Sequence, residues 1–102
     1  MVRKPKLVVA WDKPAYSSLQ LAYDHIKEGS LANAEQVREG ILKITVGLPD
    51  HPEKYPRDKF KKNNPGNYRA FEKYSYRVAY KITEQEIIVL RVRHVKQEPL
   101  KY

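Results

Sequence analysis

The segment Tyr68–Ile82, YRAFEKYSYRVAYKI, constrains the fold more than any other part of the sequence. In its second half, bulky apolar side chains at even-numbered positions alternate with Arg77, Ala79 and Lys81. Because successive side chains of a β-strand point to opposite faces, this period of two predicts a strand with one apolar face and one cationic face. An apolar sheet face must be buried against another layer, so the chain needs helices that cover it.

Two helices are predicted upstream, where apolar residues recur at helical spacing. The first stripe begins after Pro14, which suits the first turn of a helix, and ends near Gly29. The second follows Ser30, a favourable N-cap residue, and closes at Gly47 and Pro49. Because only a Gly-Ser corner joins the two helices, they should fold back on each other as a hairpin.

The remaining apolar runs complete the fold. Leu7–Trp11 favours a first strand, and Tyr68–Lys73, Tyr76–Ile82 and Ile87–Val95 favour a three-stranded meander. The predicted fold is therefore α+β and two-layered, in the order β-α-α-β-β-β, with a helical hairpin packed on one face of a small, mostly antiparallel sheet.

Alternation in the last strand extends the cationic face. It places Leu90, Val92 and His94 on one side and Arg91 and Arg93 on the other. The cationic face then carries Arg77, Arg91 and Arg93, with Arg69 and Lys81 near its edge. Close unpaired cations repel one another, so such a face suits a polyanion. The alternative is an ordinary solvated face, with its arginines screened by water and by carboxylates such as Glu72.

Composition narrows the class of protein. The 102 residues suit one domain, residues 1–102, and the formal net charge of +8 favours anionic partners, with nucleic acid first among them. The apolar run Leu7–Trp11 is too short for a membrane span or a signal-peptide core, so no membrane partner is expected. The chain has no cysteine and three scattered histidines, which predicts neither a disulfide framework nor a metal or other cofactor, and a reducing cytoplasm fits.

A long loop, Pro49–Asn67, separates the helices from the meander. It contains four prolines, no apolar period and a basic cluster: Lys54, Arg57, Lys59, Lys61 and Lys62. Loops of this length in compact domains are often functional. A nucleic-acid-binding loop and a solvated basic surface are equally compatible with this pattern.

The order of these elements resembles the RelE/ParE superfamily of bacterial toxin–antitoxin toxins over essentially the whole chain. The resemblance is carried by NAEQV in the second helix, LPDHPE after it, YRAFEKYSYRVAYKI across two strands and IIVLRVRHVKQEP at the end. It implies the same fold, and it implies one of two activities, because RelE-like members cut mRNA on the ribosome whereas ParE-like members poison DNA gyrase.

The RelE-like activity is a metal-independent, ribosome-dependent endoribonuclease. Such chemistry needs cations that stabilise the phosphorane-like charge and a group that transfers protons. The resemblance implies that Arg77 and Lys96 stabilise the phosphate and that Tyr102 stacks or transfers a proton. Arg69 stands near a lysine pair of that family that this chain lacks. His94 or Glu72 could replace the base, although His94 also suits a structural role.

Further basic residues would hold the nucleic acid: Lys59, Lys61, Lys62, Lys81, Arg91 and Arg93. The single register of Arg77, Lys96 and Tyr102 favours mRNA cleavage, with the ribosome and mRNA as partners. The motif LRVRH with its basic tail is equally ParE-like, so a toxin that poisons DNA gyrase by binding is the alternative. A non-toxic or degenerate nucleic-acid-binding module is a third possibility. In either toxin class, the resemblance implies a cognate antitoxin that folds onto the toxin.

Overall fold

The computed structural model describes residues 7–102. It contains two helices and four strands, with short 3-10 turns at Leu48–Asp50 and Val95–Gln97: β1 (Val8–Trp11), α1 (Lys13–Lys27), α2 (Leu31–Gly47), β2 (Tyr68–Lys73), β3 (Tyr76–Ile82) and β4 (Glu86–His94). The strands form one sheet in the order β1-β4-β3-β2. β1 runs parallel to β4, and the other neighbours are antiparallel, so the predicted α+β architecture is confirmed.

The helix boundaries follow from the signals in the sequence. Pro14 lies in the first turn of α1, where its missing N–H leaves no helical hydrogen bond unmade. Ser30 caps α2, since its Oγ accepts a hydrogen bond of 3.1 Å from the Asn33 N–H. The hairpin buries its apolar stripes, including Leu19 and Ile41, against one face of the sheet. None of the helices within residues 7–102 is long and apolar enough to cross a membrane.

The alternation predicted for β4 is wrong in its first half because the strand contains a bulge. Val89 pairs with Tyr80 and Arg91 pairs with Ala79, so Leu90 is an extra residue without a partner on β3. Ile87 and Val89 are buried in the core on one side of the bulge, and Val92 is buried on the other. The core face of β4 therefore changes from odd to even positions at Leu90, while Arg91 and Arg93 remain on the opposite face.

Deleting Leu90 should be tolerated, with a loss of less than about 2 kcal/mol in the free energy of unfolding. The deletion removes the bulge residue and leaves Val89, Arg91 and Val92 in regular alternation with their present partners. Chemical denaturation measures the effect. Deleting Ile88 changes the length equally but moves Ile87 to the opposite face, so it should destabilise more. Equal losses for the two deletions would contradict the bulge assignment.

Candidate functional site

The face of the sheet that turns away from the helices is covered by the long loop and by the C-terminal residues. On this face Ala70 and Ala79 are 1% and 2% exposed. Phe60 and Tyr102 lie over it, and the Tyr102 N–H donates a hydrogen bond of 2.9 Å to the Phe60 carbonyl. The Lys62 N–H returns a bond of 2.7 Å to the Tyr102 carbonyl. The predicted bare cationic face is thus wrong, because the sequence pattern did not reveal this second cover.

Arg77 lies on this covered face, near the start of the inner strand β3, in a network of ion pairs. Its two terminal nitrogens donate hydrogen bonds of 2.9 Å to Asp58 Oδ1 and 3.0 Å to Glu72 Oε2. The guanidinium carbon lies 4.8 Å from the centre of the Phe60 ring. Arg77 as a whole is 9% exposed. The Nε of Arg77 is buried without a hydrogen-bond partner, but a cation whose charge is paired with two carboxylates gains little from a further anion.

Asp58 is the hub of the network. Its backbone N–H is bonded to the Tyr68 carbonyl at 2.9 Å, which fixes the loop against the edge strand β2. Burial would raise the pKa of Asp58, but hydrogen bonds from Tyr102, Arg77 and the Phe60 N–H, together with the charge of Arg77, hold that pKa below its usual value. Asp58 is therefore a carboxylate at neutral pH.

Tyr102 donates its hydroxyl proton to Asp58 Oδ2 over 2.6 Å. Burial, the hydrogen bond to Asp58 and the charge of that carboxylate raise the pKa of Tyr102 well above its ordinary value. Its ring centre lies 4.3 Å from the guanidinium carbon of Arg91 and 5.4 Å from Lys61 Nζ. In this arrangement Tyr102 is a neutral hydrogen-bond donor enclosed by cations.

Arg91 and Arg93 share a second buried acid. Both donate to Glu98 Oε1, at 3.3 Å and 3.1 Å, and Arg93 also donates to the Gln97 carbonyl at 2.7 Å. The Glu98 side chain is 8% exposed. The three strand arginines are thus paired with carboxylates that come from the loop, from β2 and from the tail.

The other candidate catalytic residues fall in different places. The Arg69 guanidinium binds three backbone carbonyls, those of Glu53, Tyr55 and Gly66, and so anchors the loop rather than facing solvent.

His94 Nδ1 accepts a hydrogen bond of 3.0 Å from the Lys96 N–H, and its ring packs edge-on against Tyr76. These contacts are consistent with the structural alternative for His94, whereas the Lys96 side chain is exposed.

The predicted basic residues of the loop and β3 lie near aromatic rings. Lys61 Nζ and Lys81 Nζ lie 4.8 Å and 5.4 Å from the Tyr68 ring centre, and Lys59 Nζ lies 5.2 Å from that of Phe60. Lys62 is exposed. Lys61 and Lys81 therefore lie near Tyr68, whereas Arg91 and Arg93 are both paired with Glu98.

Sequence reasoning missed the two acids that organise this face, Asp58 and Glu98. A signal existed for Asp58, because it is the only acidic residue between Glu53 and Glu72 and stands inside a strongly basic loop. An isolated acid among cations is a candidate for a buried partner. In the part of the chain that the structure describes, no group of histidine and acidic side chains could hold a metal ion.

Replacing Tyr102 with phenylalanine should lower the free energy of unfolding by about 1–2 kcal/mol at pH 7, because a buried carboxylate loses one donor. The folded-state pKa of Tyr102 is raised above the ordinary value of 10.0, so the hydroxyl contributes fully below pH 10. Its contribution is lost as the pH rises above that value. The difference between the two proteins in urea denaturation should therefore shrink in alkaline buffer, and an unchanged difference would contradict this role for the hydroxyl.

The comparisons with known structures agree with this architecture. A chain of the chromosomal ParDE toxin–antitoxin system from P. aeruginosa superposes with a TM-score of 0.69 at 17% identity, over 87% of this chain and 96% of that one. A chain of the RelBE2 toxin–antitoxin complex from Mycobacterium tuberculosis gives a TM-score of 0.62 at 16% identity, over 90% and 94%. The YoeB dimer from Staphylococcus aureus gives 0.58 at 11% identity, over 87% and 97%.

Comparison of the sequence with known proteins and protein families shows the family of this chain. No curated protein matches this sequence. Residues 9–99 match the family model described as the ParE toxin of the type II toxin–antitoxin system parDE, and this match covers both helices, the loop and all of the sheet except Val8. The chain therefore belongs to the ParE toxin family of type II toxin–antitoxin systems.

Proposed function

We propose that this toxin arrests growth by binding and inhibiting DNA gyrase, and that it is neutralised by a cognate antitoxin. The observation that carries the proposal is the network of ion pairs around Arg77. A RelE-type activity would assign the chemistry to Arg77, Lys96 and Tyr102. Arg77 and Tyr102 lie on the covered face, and both are already hydrogen-bonded to carboxylates. A toxin that acts by binding needs no such catalytic set.

The state of Arg77 argues against phosphate stabilisation. Electrostatic catalysis needs preorganised donors that are aimed at the developing charge. Both terminal nitrogens of Arg77 are instead bonded to Asp58 and Glu72. A scissile phosphate would have to displace two charge-assisted hydrogen bonds before Arg77 could contribute, and each such displacement opposes catalysis.

The state of Tyr102 argues against proton transfer. An efficient acid–base group has a pKa near the working pH. The pKa of Tyr102 is raised by burial and by Asp58, and its proton is held by that carboxylate. Lys96 is exposed and remains available to an RNA, and this observation keeps ribosome-dependent mRNA cleavage as the second candidate.

Two assays on one preparation of purified toxin separate the candidates. We expect inhibited supercoiling and trapped DNA breaks when the toxin is added to gyrase and plasmid DNA. We expect intact mRNA when it is added to translating ribosomes. Cut mRNA without any effect on gyrase would overturn the proposal in favour of the nuclease.

A matched pair of variants sharpens the result. Lys96→Ala and Lys101→Ala remove one exposed ammonium group each, so they change the net charge equally. Under the gyrase proposal, the two variants should behave alike in both assays. A selective loss of mRNA cleavage in Lys96→Ala would assign catalytic work to Lys96.

The proposed antitoxin follows from the family and from the surface of this chain. With a formal net charge of +8, the toxin suits a partner whose toxin-binding segment is acidic. The cognate gene is expected beside the toxin gene. Co-expression of that neighbour should restore growth, and unrelieved growth arrest would exclude it as the antidote.

A further inference from the structure

A cavity of about 870 Å³ opens between α2, the turn that follows it and the β2–β3 hairpin. It shares no lining residue with the ionic network around Arg77. Its walls come from three separate parts of the chain, so its chemistry is set by the tertiary fold. The resemblance to known toxins assigned no role to any of its residues.

Three lysines line this cavity, each from a different element. Lys43 lies on α2, Lys54 on the long loop and Lys73 at the end of β2. Asp50 is the one carboxylate in the lining. Within residues 7–102, none of the three lysines forms an ion pair with a carboxylate. This differs from the strand arginines, whose charges are neutralised by buried acids. The cavity is therefore a concave, net cationic surface that suits a multiply charged anion.

Two tyrosines give the cavity flat apolar walls. Lys54 Nζ lies 5.4 Å from the ring centre of Tyr55, and Lys73 Nζ lies 4.6 Å from that of Tyr74. Tyr74 as a whole is 42% exposed, so its side chain is accessible to a ligand. Aromatic side chains beside cations are the arrangement on which nucleic-acid bases stack while their phosphates are neutralised.

The chain holds Tyr74 in place against its local preferences. Tyr74 and Ser75 have φ angles of 50° and 67°, in the left-handed region that a two-residue hairpin turn requires and that glycine or asparagine would fill more easily. A Cβ at position 40 would lie 2.6 Å from Tyr74 Cε2, so any residue other than glycine, which weakens a helix, would require the ring to shift from its place across α2. Strained backbone of this kind clusters at ligand sites.

We propose that this cavity binds a nucleotide, with its phosphates between Lys43, Lys54 and Lys73 and its base stacked on Tyr74. A chain of phosphates matches three lysines around one cavity better than a single phosphate does, because one monoanion would leave most of their repulsion in place. The base matches the exposed Tyr74 ring. The nucleotide comes either as a free nucleoside triphosphate or as part of a single strand.

Isothermal titration calorimetry of the full chain with ATP at fixed low salt tests the proposal. The triple variant Lys43→Gln, Lys54→Gln and Lys73→Gln should bind ATP at least about tenfold more weakly. The matched control replaces Lys13, Lys27 and Lys101, three exposed lysines outside the cavity, with glutamine and removes the same net charge. The control should stay within about twofold of the parent, since screening weakens the pull of distant charges.

A second variant tests the stacking. Tyr74→Asn keeps a residue that tolerates positive φ, so the turn should survive. It should weaken ATP binding and leave the binding of inorganic triphosphate unchanged. An equal loss in the lysine control, a Tyr74 variant that binds ATP like the parent, or no binding of ATP by the parent would each overturn the proposal.

A short single-stranded oligothymidylate identifies the source of the nucleotide. Displacement of ATP by the oligothymidylate, with the same dependence on the three lysines, supports a strand as the natural ligand. Binding of ATP without such displacement supports a free nucleotide. Both results keep the cavity as a nucleotide site, and neither depends on the outcome of the gyrase assays.

Discussion

Replacing Arg77 with alanine should lower the free energy of unfolding by about 3–5 kcal/mol, the range expected when one partner of a buried ion pair is removed. The alanine leaves the Asp58 carboxylate, whose side chain is 1% exposed, without its cation. It also empties the space above the Phe60 ring. Urea denaturation at pH 7 measures the loss. A loss below about 1 kcal/mol would mean that Arg77 behaves as an ordinary surface residue.

Asp58→Asn is the matched substitution and adds a pH signature. The folded-state pKa of Asp58 is held below its usual value of 3.8, so its stabilising effect is present above that pH. It is lost as the pH falls through the lowered pKa. The stability of the parent should therefore drop in acid more steeply than that of Asp58→Asn. The double variant Arg77→Ala, Asp58→Asn should lose less free energy of unfolding than the sum of the two single losses, because each residue chiefly pairs with the other.

These expectations change how any toxicity test of Arg77 is understood. Loss of activity in Arg77→Ala at the whole-cell level follows equally from a missing catalytic group and from a destabilised fold. The denaturation curve distinguishes the two, and so does the amount of soluble protein. If the Arg77→Ala protein is folded and no longer inhibits its target, Arg77 belongs to the functional site.

Most of the fold could be predicted from sequence, because its signals are local and mutually consistent. Ser30, as a favourable N-cap residue, predicts the start of α2, and the alternation in Tyr76–Ile82 predicts which face of β3 is buried against the helices. The bulge at Leu90 could not be predicted. Apolar residues occupy every position from Ile87 to Leu90, so the pattern there fits either face of the sheet.

The state of the cationic face could not be predicted for a different reason. The three strand arginines were placed on the correct face by their spacing alone. Glu72 lies opposite Arg77 on β2 and is predicted from the sequence as a screening carboxylate. The buried partners Asp58 and Glu98 lie 19 residues before Arg77 and 5 residues after Arg93 along the chain, in segments without periodic structure. Pairing across such segments depends on how a loop and a tail fold back, and no periodicity encodes that. The charge of a face therefore cannot be inferred from its strands alone.

Replacing Glu98 with alanine should cost about 2–3 kcal/mol, because one buried carboxylate serves two arginines. Glu98 Oε1 accepts from Arg91 and Arg93, and its Oε2 accepts from the Leu100 N–H at 2.8 Å. The alanine leaves two neighbouring cations without their shared counter-charge, although both are exposed enough to regain some water. Glu84→Ala, which removes an exposed carboxylate from the turn before β4, is the control of equal charge and should cost little.

The same substitution should loosen the tail, since Glu98 ties the tail to two arginines of β4. Trypsin should then cleave after Lys96 faster in Glu98→Ala than in the parent or in Glu84→Ala, as local opening exposes the backbone to the protease. Because Tyr102 follows the same tail, its release would uncover Arg91 and the Asp58 network and raise the affinity of this face for polyanions in low salt. Faster cleavage without tighter polyanion binding would mean that the arginines stay neutralised by other acids. Unchanged cleavage would mean that the hydrogen bonds between Tyr102 and the loop hold the tail by themselves.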